Sequence, residues 1–181
     1  MTTDVAPRTA PTSGFRLSRR VRRAVLALHI LCGVGWMGAD VLLAILVVAG
    51  RTSGDGATVA AAYTAVRLVV PLAVPVLVGG MLVTGVLLGL GTKWGLVQWW
   101  WVFVKLLVGI VLTALVLVAL VPGALSIPEG LTGTADQVRD AVGRAGEDLM
   151  FPPFVSFAAL AFALVLSVYK PWSRTRWGRR R

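Results

Sequence analysis

The chain has 181 residues, of which 57% are hydrophobic and 14% are charged, and its formal net charge is +10. Soluble domains contain about 45–50% apolar and about 25% charged residues, so the composition excludes an ordinary soluble domain. The single cysteine, Cys32, excludes an intramolecular disulfide. Because Cys32 lies in an apolar run, a small buried thiol is favoured over a metal ligand.

Four long apolar runs follow a Thr-, Pro- and Ser-rich start, and we predict residues 1–20 to be a disordered tail. A helix needs about 20 apolar residues to cross a hydrocarbon core roughly 30 Å thick, and each run is long enough. We therefore predict an all-α polytopic membrane protein, a four-transmembrane-helix bundle over residues 21–170. The predicted spans are 24–50, 68–91, 96–121 and 151–169, with a long loop at 122–150.

Basic residues are distributed unevenly around these spans. Six precede the first span, six follow the fourth, and Lys93 lies between the second and third, whereas the other two loops hold four. The positive-inside rule then predicts both termini, including the basic tail 171–181, in the cytoplasm, with the chain in a bacterial cytoplasmic membrane. This distribution disfavours nucleic acid as a partner and favours the lipid bilayer, with anionic headgroups at the basic tails.

The first span contains "HILCGVGWMGAD" (29–40), in which Gly33, Gly35 and Gly38 match the spacing of a dinucleotide-binding loop. That motif requires a preceding strand and a βαβ unit, and here it lies inside a long apolar run. The glycines therefore predict the close approach of a neighbouring helix or a flat ligand to the backbone. At 100° per residue, a single face of the helix carries His29, Gly33, Trp36 and Asp40, and we expect this face to point into the bundle.

The second span contains Pro71 and Pro75, which predict a bend in its outer half. Its helix is expected to begin at a cap formed by Ser53 or Asp55. Closer to the predicted cytoplasmic end, Gly85 and Gly89 form a G-x-x-x-G pattern. Such a pattern marks helix packing, either within the bundle or in a homodimer.

The third span carries Lys105. A rise of 1.5 Å per residue places His29 roughly 8 Å and Lys105 about 12 Å from the cytoplasmic side, and Asp40 roughly 24 Å. A direct Asp40–Lys105 salt bridge is therefore not expected. In the acidic outer loop, Thr134 and Gln137 form a capping-box pattern, which predicts a short helix over residues 135–144.

Ionisable groups inside a span are costly, so His29, Asp40 and Lys105 are candidate functional residues. His29 is the only histidine, which excludes a zinc site of the H-E-x-x-H type and ligation of one haem by two histidines of one chain. No phosphate-binding Walker loop is present, and no catalytic triad has a supporting motif.

Two stretches resemble a superfamily of small bacterial membrane proteins: "LHILCGVGWMGA" (28–39) and "WWWVFVKLLVGIVLTALV" (99–116). The first is similar to their pattern of L-H, six residues and W-x-G, and the second to a later helix with an aromatic start and a buried lysine. The superfamily includes the copper-resistance CopD domain and HemJ-type protoporphyrinogen oxidases. The greatest similarity is to four-span predicted integral membrane proteins of unknown function. The resemblance covers residues 24–170 and depends on His29, Trp36, Gly38 and Lys105.

The resemblance implies that His29 is an axial ligand of haem b, with Lys105 near a propionate or a substrate carboxylate. Three hypotheses follow for the chain. The first is a non-enzymatic membrane protein whose interior polar residues bind a ligand or support assembly. The second is a haem-b redox protein or oxidase, with His29 as the metal ligand and Trp36 and Lys105 in the cofactor site. The third is a component of ion or metal transport that uses His29, Lys105 and Asp40.

Overall fold

The computed structural model describes residues 17–92, 95–169 and 175. The prediction of an all-α bundle is confirmed: four helices are long and apolar enough to cross a membrane, and the described residues form no sheet. The helices are α1 (Arg19–Thr52), α2 (Gly56–Gly91), α3 (Trp100–Leu115), a π-helical segment (Val116–Leu120), α4 (Val121–Leu125), α5 (Ala135–Val142), α6 (Arg144–Asp148) and α7 (Pro152–Tyr169).

Helix α1 begins at Arg19, so the predicted disordered tail 1–20 extends too far by two residues. Ser18 is the N-cap, and its hydroxyl accepts a hydrogen bond from the Val21 amide at 3.3 Å. This bond satisfies one of the N–H groups that have no partner at the start of a helix. Residues 1–16 lie outside the described chain, as does most of the tail 171–181. Side chains buried along α1 recur every three or four residues and face α2 and α7: Cys32, Trp36, Asp40, Leu43, Val47 and Gly50.

Helix α2 is a single helix that begins well before the predicted second span. Asp55 is its N-cap and accepts from the Thr58 amide at 2.9 Å, in agreement with one of the two predicted caps. Helical structure continues through Pro71 and Pro75 to Gly91. A buried seam of valines at four-residue spacing packs against the core: Val66, Val70, Val74 and Val78.

The third span starts four residues later than predicted, because residues 96–99 lie in a connection before α3. Two carbonyl groups of this connection bind Thr175: its amide donates to Gln98 at 2.8 Å, and its hydroxyl donates to Val97 at 2.5 Å. In a helix these two carbonyls would accept from amides of the same helix, so they are available to Thr175 because the connection is not helical. The described part of the C-terminal tail is thereby attached to the α2–α3 connection.

The third span also ends later than predicted, at Leu125, and contains one wide turn. The Val121 amide bonds to the Val116 carbonyl, five residues back, instead of four. Pro122 follows immediately, has no amide hydrogen, and would collide with the carbonyl four residues earlier in a regular α-helix. The π-helical turn opens the spacing at this point, so that the helix continues past the proline.

The loop 122–150 folds as a cap on the ends of the spans. The capping box of Thr134 and Gln137 is confirmed, and α5 follows it and packs on α2. Arg139 donates from Nε to the Gly50 carbonyl at 3.0 Å and from Nη2 to the Ser53 carbonyl. These carbonyls belong to the C-terminal end of α1, where acceptors otherwise lack partners.

A second arginine, Arg67 of α2, fastens the other side of this cap. Its guanidinium donates to the Leu125 and Ile127 carbonyls at the end of α4 and pairs with Glu129 at 2.5 Å. Asp136 likewise pairs with Arg139 at 3.1 Å. Two of the acidic residues of the loop are therefore used in ion pairs, and both arginines join separate helices.

We expect Arg139→Ala to lower the free energy of unfolding by about 1–3 kcal/mol, because hydrogen bonds from a charged donor contribute about that much. Thermal unfolding in detergent measures the change. Arg144→Ala is the matched control, since Arg144 is exposed and makes no ion pair within the described chain. Equal melting temperatures for the two variants would contradict the role assigned to Arg139.

Candidate functional site

His29 lies between α1 and α2 and is half-buried. Its Nδ1 is 3.0 Å from the Met81 carbonyl and 3.0 Å from the Thr84 hydroxyl. A carbonyl oxygen only accepts, so Nδ1 carries a hydrogen, and in the neutral ring the lone pair is then on Nε2. The Thr84 hydroxyl in turn donates to the Gly80 carbonyl at 2.6 Å, which leaves its oxygen free to accept from His29. The ring orientation and the tautomer are thus set by α2.

Asp40 lies on the same face of α1, about 16 Å further along the helix at 1.5 Å per residue. It is 5% exposed, and the Ser156 hydroxyl of α7 donates to its Oδ2 at 2.8 Å. Ser156 is itself buried and lies about 6 Å from the start of α7. The carboxyl group therefore joins α1 to α7 in the half of the bundle beneath the cap.

Lys105 of α3 is half-buried and donates from Nζ to the Ser167 hydroxyl of α7 at 2.7 Å. The Ser167 hydroxyl in turn donates a hydrogen bond to the Ala163 carbonyl at 3.0 Å. The ammonium also lies 5.1 Å from the centre of the Trp101 ring, within the range of a cation–π contact. Lys105 therefore joins α3 to α7.

These three polar residues share the interior of the bundle without bonding to one another. His29 bonds to α2, whereas Lys105 bonds to α7. Asp40 and Lys105 bind different serines, and no salt bridge joins them in the described chain, as expected. The described residues contain no group of three or more His, Cys, Asp or Glu side chains that could hold a metal ion.

Trp36, the third residue assigned to the cofactor site, is buried more deeply than His29 and Lys105. It is 1% exposed and belongs to the apolar core, together with Leu43, Val47 and the valines of α2. Its indole N–H is buried and donates to no atom of the described chain.

The five glycines predicted to pack between helices differ in what surrounds them. A methyl group added at Gly35 would lie 2.9 Å from Leu77 of α2, and one at Gly33 would lie 3.8 Å from Met81. Gly38 is exposed, and such a methyl would meet nothing within 4 Å. The prediction that Gly38 packs against a neighbouring helix is therefore wrong for the described chain, because the position points away from the interior face.

The G-x-x-x-G pair of α2 packs within the chain. A methyl group at Gly85 would lie 3.2 Å from the His29 ring, and at Gly89 it would overlap Leu96 of the α2–α3 connection. The close packing predicted for this pair is thus met by side chains of the chain itself. Gly80 makes a further close approach, with the Cys32 sulfur 2.8 Å from the position of an added methyl.

The partners of the polar residues were not among the predicted site residues. Thr84, Ser156 and Ser167 are small hydroxyl residues inside apolar helices, and each bonds an ionisable side chain on another helix. Their presence in a span was the available signal, since hydroxyls in hydrocarbon seek partners across helices. Which partner each one finds depends on how the helices are arranged.

Comparison with models of protein families, with curated proteins and with solved structures finds no match to this chain.

We expect Asp40→Ala and Ser156→Ala to be non-additive in a double-mutant cycle, because each removes the partner of the other. The coupling should be about 0.6 kcal/mol, the average that double-mutant cycles give for hydrogen bonds between membrane helices. Unfolding in detergent or in bicelles measures it. Asp55→Ala combined with Ser156→Ala is the control and should be additive, because Asp55 bonds locally to Thr58. Additivity in both cycles would mean that the Asp40–Ser156 bond does not contribute to stability.

Proposed function

We propose that this chain is a non-enzymatic, multi-pass protein of the bacterial cytoplasmic membrane, with both termini in the cytoplasm. In this proposal the interior polar residues serve the assembly of the bundle. One observation supports it above the others: His29, Asp40 and Lys105 each bond to a hydroxyl residue on a different helix. Groups committed to holding helices together are poorly placed to carry out chemistry.

The proposed orientation is supported by charge. Arg19, Arg20, Arg22 and Arg23 are all exposed at the start of α1, and the cap at the opposite end contains the acidic loop. Exposed arginines at a helix end are retained on the cytoplasmic side and attract anionic headgroups there.

A reporter fused after Arg181 should be active only as a cytoplasmic reporter, and one inserted after Gly130 only as an external reporter. Gly130 suits an insertion because it is exposed in the loop between α4 and α5. The measurement is paired enzymatic activity of reporters that fold on one side only. An external signal after Arg181 would overturn the proposed orientation.

The second candidate is a haem-b redox protein with His29 as the axial ligand, as the resemblance implies. The specific observation in its favour is the hydrogen bond from His29 Nδ1 to the Met81 carbonyl, since metal-bound histidines usually donate their second N–H in this way. His29 and Lys105 suit such a group by donor type, whereas Trp36 does not, because it is packed in the core. A bound haem would supply one-electron chemistry, and His29 would hold its iron through Nε2.

Purified protein, expressed with ample haem, should be colourless if the assembly proposal is correct. The haem candidate requires a Soret band that disappears in His29→Ala. It also requires that Thr84→Val retain the band, since that variant removes one partner of Nδ1 and keeps the Met81 carbonyl. Visible absorption spectra of the three proteins therefore decide between the two functions.

A further inference from the structure

Asp40 is the one acidic residue within α1, α2, α3 and α7, the four helices of the described chain that make up the apolar spans. Its carboxyl group is buried, and an ionised carboxylate in such a place needs a cation or several hydrogen bonds to remain stable. The groups that surround it therefore determine whether it holds a charge.

No cation reaches Asp40 from the helices that pack on α1. Helix α2 contributes one basic residue, Arg67, which is bound to the end of α4 and to Glu129. The titratable residues of α6, namely Arg144, Glu147 and Asp148, are all exposed. Helix α7 has no charged residue, and its Tyr169 lies at the opposite end. Lys105 of α3 is bound to Ser167.

Hydrogen bonds are also too few to stabilise a charge. Carboxylates that stay ionised when buried accept about two or three donors, and Asp40 accepts one within the described chain, from Ser156. The nearby start of α7 would normally offer four free amide hydrogens, but Pro152 and Pro153 occupy its first two positions and carry none. The indole N–H of Trp36, one turn away on α1, does not bond to it either.

We propose that Asp40 is a proton-binding site, which holds its carboxyl group in the neutral, protonated form beside Ser156 when the bundle is in a membrane. The proton enters from the side on which α7 begins, because Ser156 lies about 6 Å from that end. The inference rests on the proposed insertion of α1 and α7 in a bilayer. It adds a reversible ligand, the proton, to a residue otherwise assigned to assembly.

A lipophilic carbodiimide tests this proposal, since it reacts with protonated carboxyl groups in apolar surroundings. The full-length protein in phospholipid vesicles is treated with dicyclohexylcarbodiimide, and the adduct is located by peptide mass spectrometry. We expect one main adduct, on Asp40, whose yield falls as the pH rises. Asp40→Asn should reduce the yield to background, and Ser156→Ala should keep it, because the proton does not depend on the serine.

Asp55→Asn is the matched control and should leave the labelling unchanged. Asp55 is exposed, and the hydroxyl and the amide of Thr58 hold its pKa below the ordinary value, so it stays ionised. An Asp40 that remains unlabelled over the whole pH range in a folded protein would overturn the proposal. Protection of Asp40 by sodium ions at constant pH would also overturn it, in favour of a metal-cation site. Neither result would disturb the proposed topology, which the reporter fusions test separately.

Discussion

The whole arrangement depends on one constraint: hydrocarbon offers no hydrogen-bond partner, so a polar side chain within a span must find one on a neighbouring helix. Three such bonds connect all four spans. His29 joins α1 to α2, Asp40 joins α1 to α7, and Lys105 joins α3 to α7. Removing any one of them would leave an unpartnered group inside the bundle, which costs more than the bond itself contributes.

The same requirement applies at the capped end of the bundle, to a different group of atoms. There the unpaired groups are backbone carbonyls at the ends of α1 and α4, and arginine side chains satisfy them. Arg139 reaches α1 from α5, and Arg67 reaches the end of α4 from α2. A guanidinium suits this position because it has several donors in a fixed plane, and because water can still reach its remaining surface. The cap and the membrane helices therefore form one unit.

The sequence was sufficient for features that depend on local pattern. Apolar length predicted the four spans, helical periodicity predicted the interior position of Asp40, and the Thr134–Gln137 spacing predicted α5. It was insufficient where the outcome depends on the neighbouring helix. Gly38 has the same local pattern as Gly35, yet only Gly35 faces α2. Nor does the pattern say which hydroxyl meets Lys105, because Ser156 and Ser167 are on the same helix, and only depth separates them.

Hydrogen bonds between membrane helices average only about 0.6 kcal/mol each, so the three interhelical bonds determine which helices are neighbours more than how stable the bundle is. Stability comes from the close packing of α1 on α2, where Gly35 and Gly80 let the backbones approach. Asp40 differs from the other two polar residues in one respect. The imidazole of His29 can be neutral without binding a further proton. The ammonium of Lys105 contacts the Trp101 ring and also donates a hydrogen bond to Ser167. Within the described chain, Asp40 accepts one hydrogen bond, from the Ser156 hydroxyl. The carboxyl group is therefore compatible with its surroundings only when a further positive charge, most simply a proton, is bound to it.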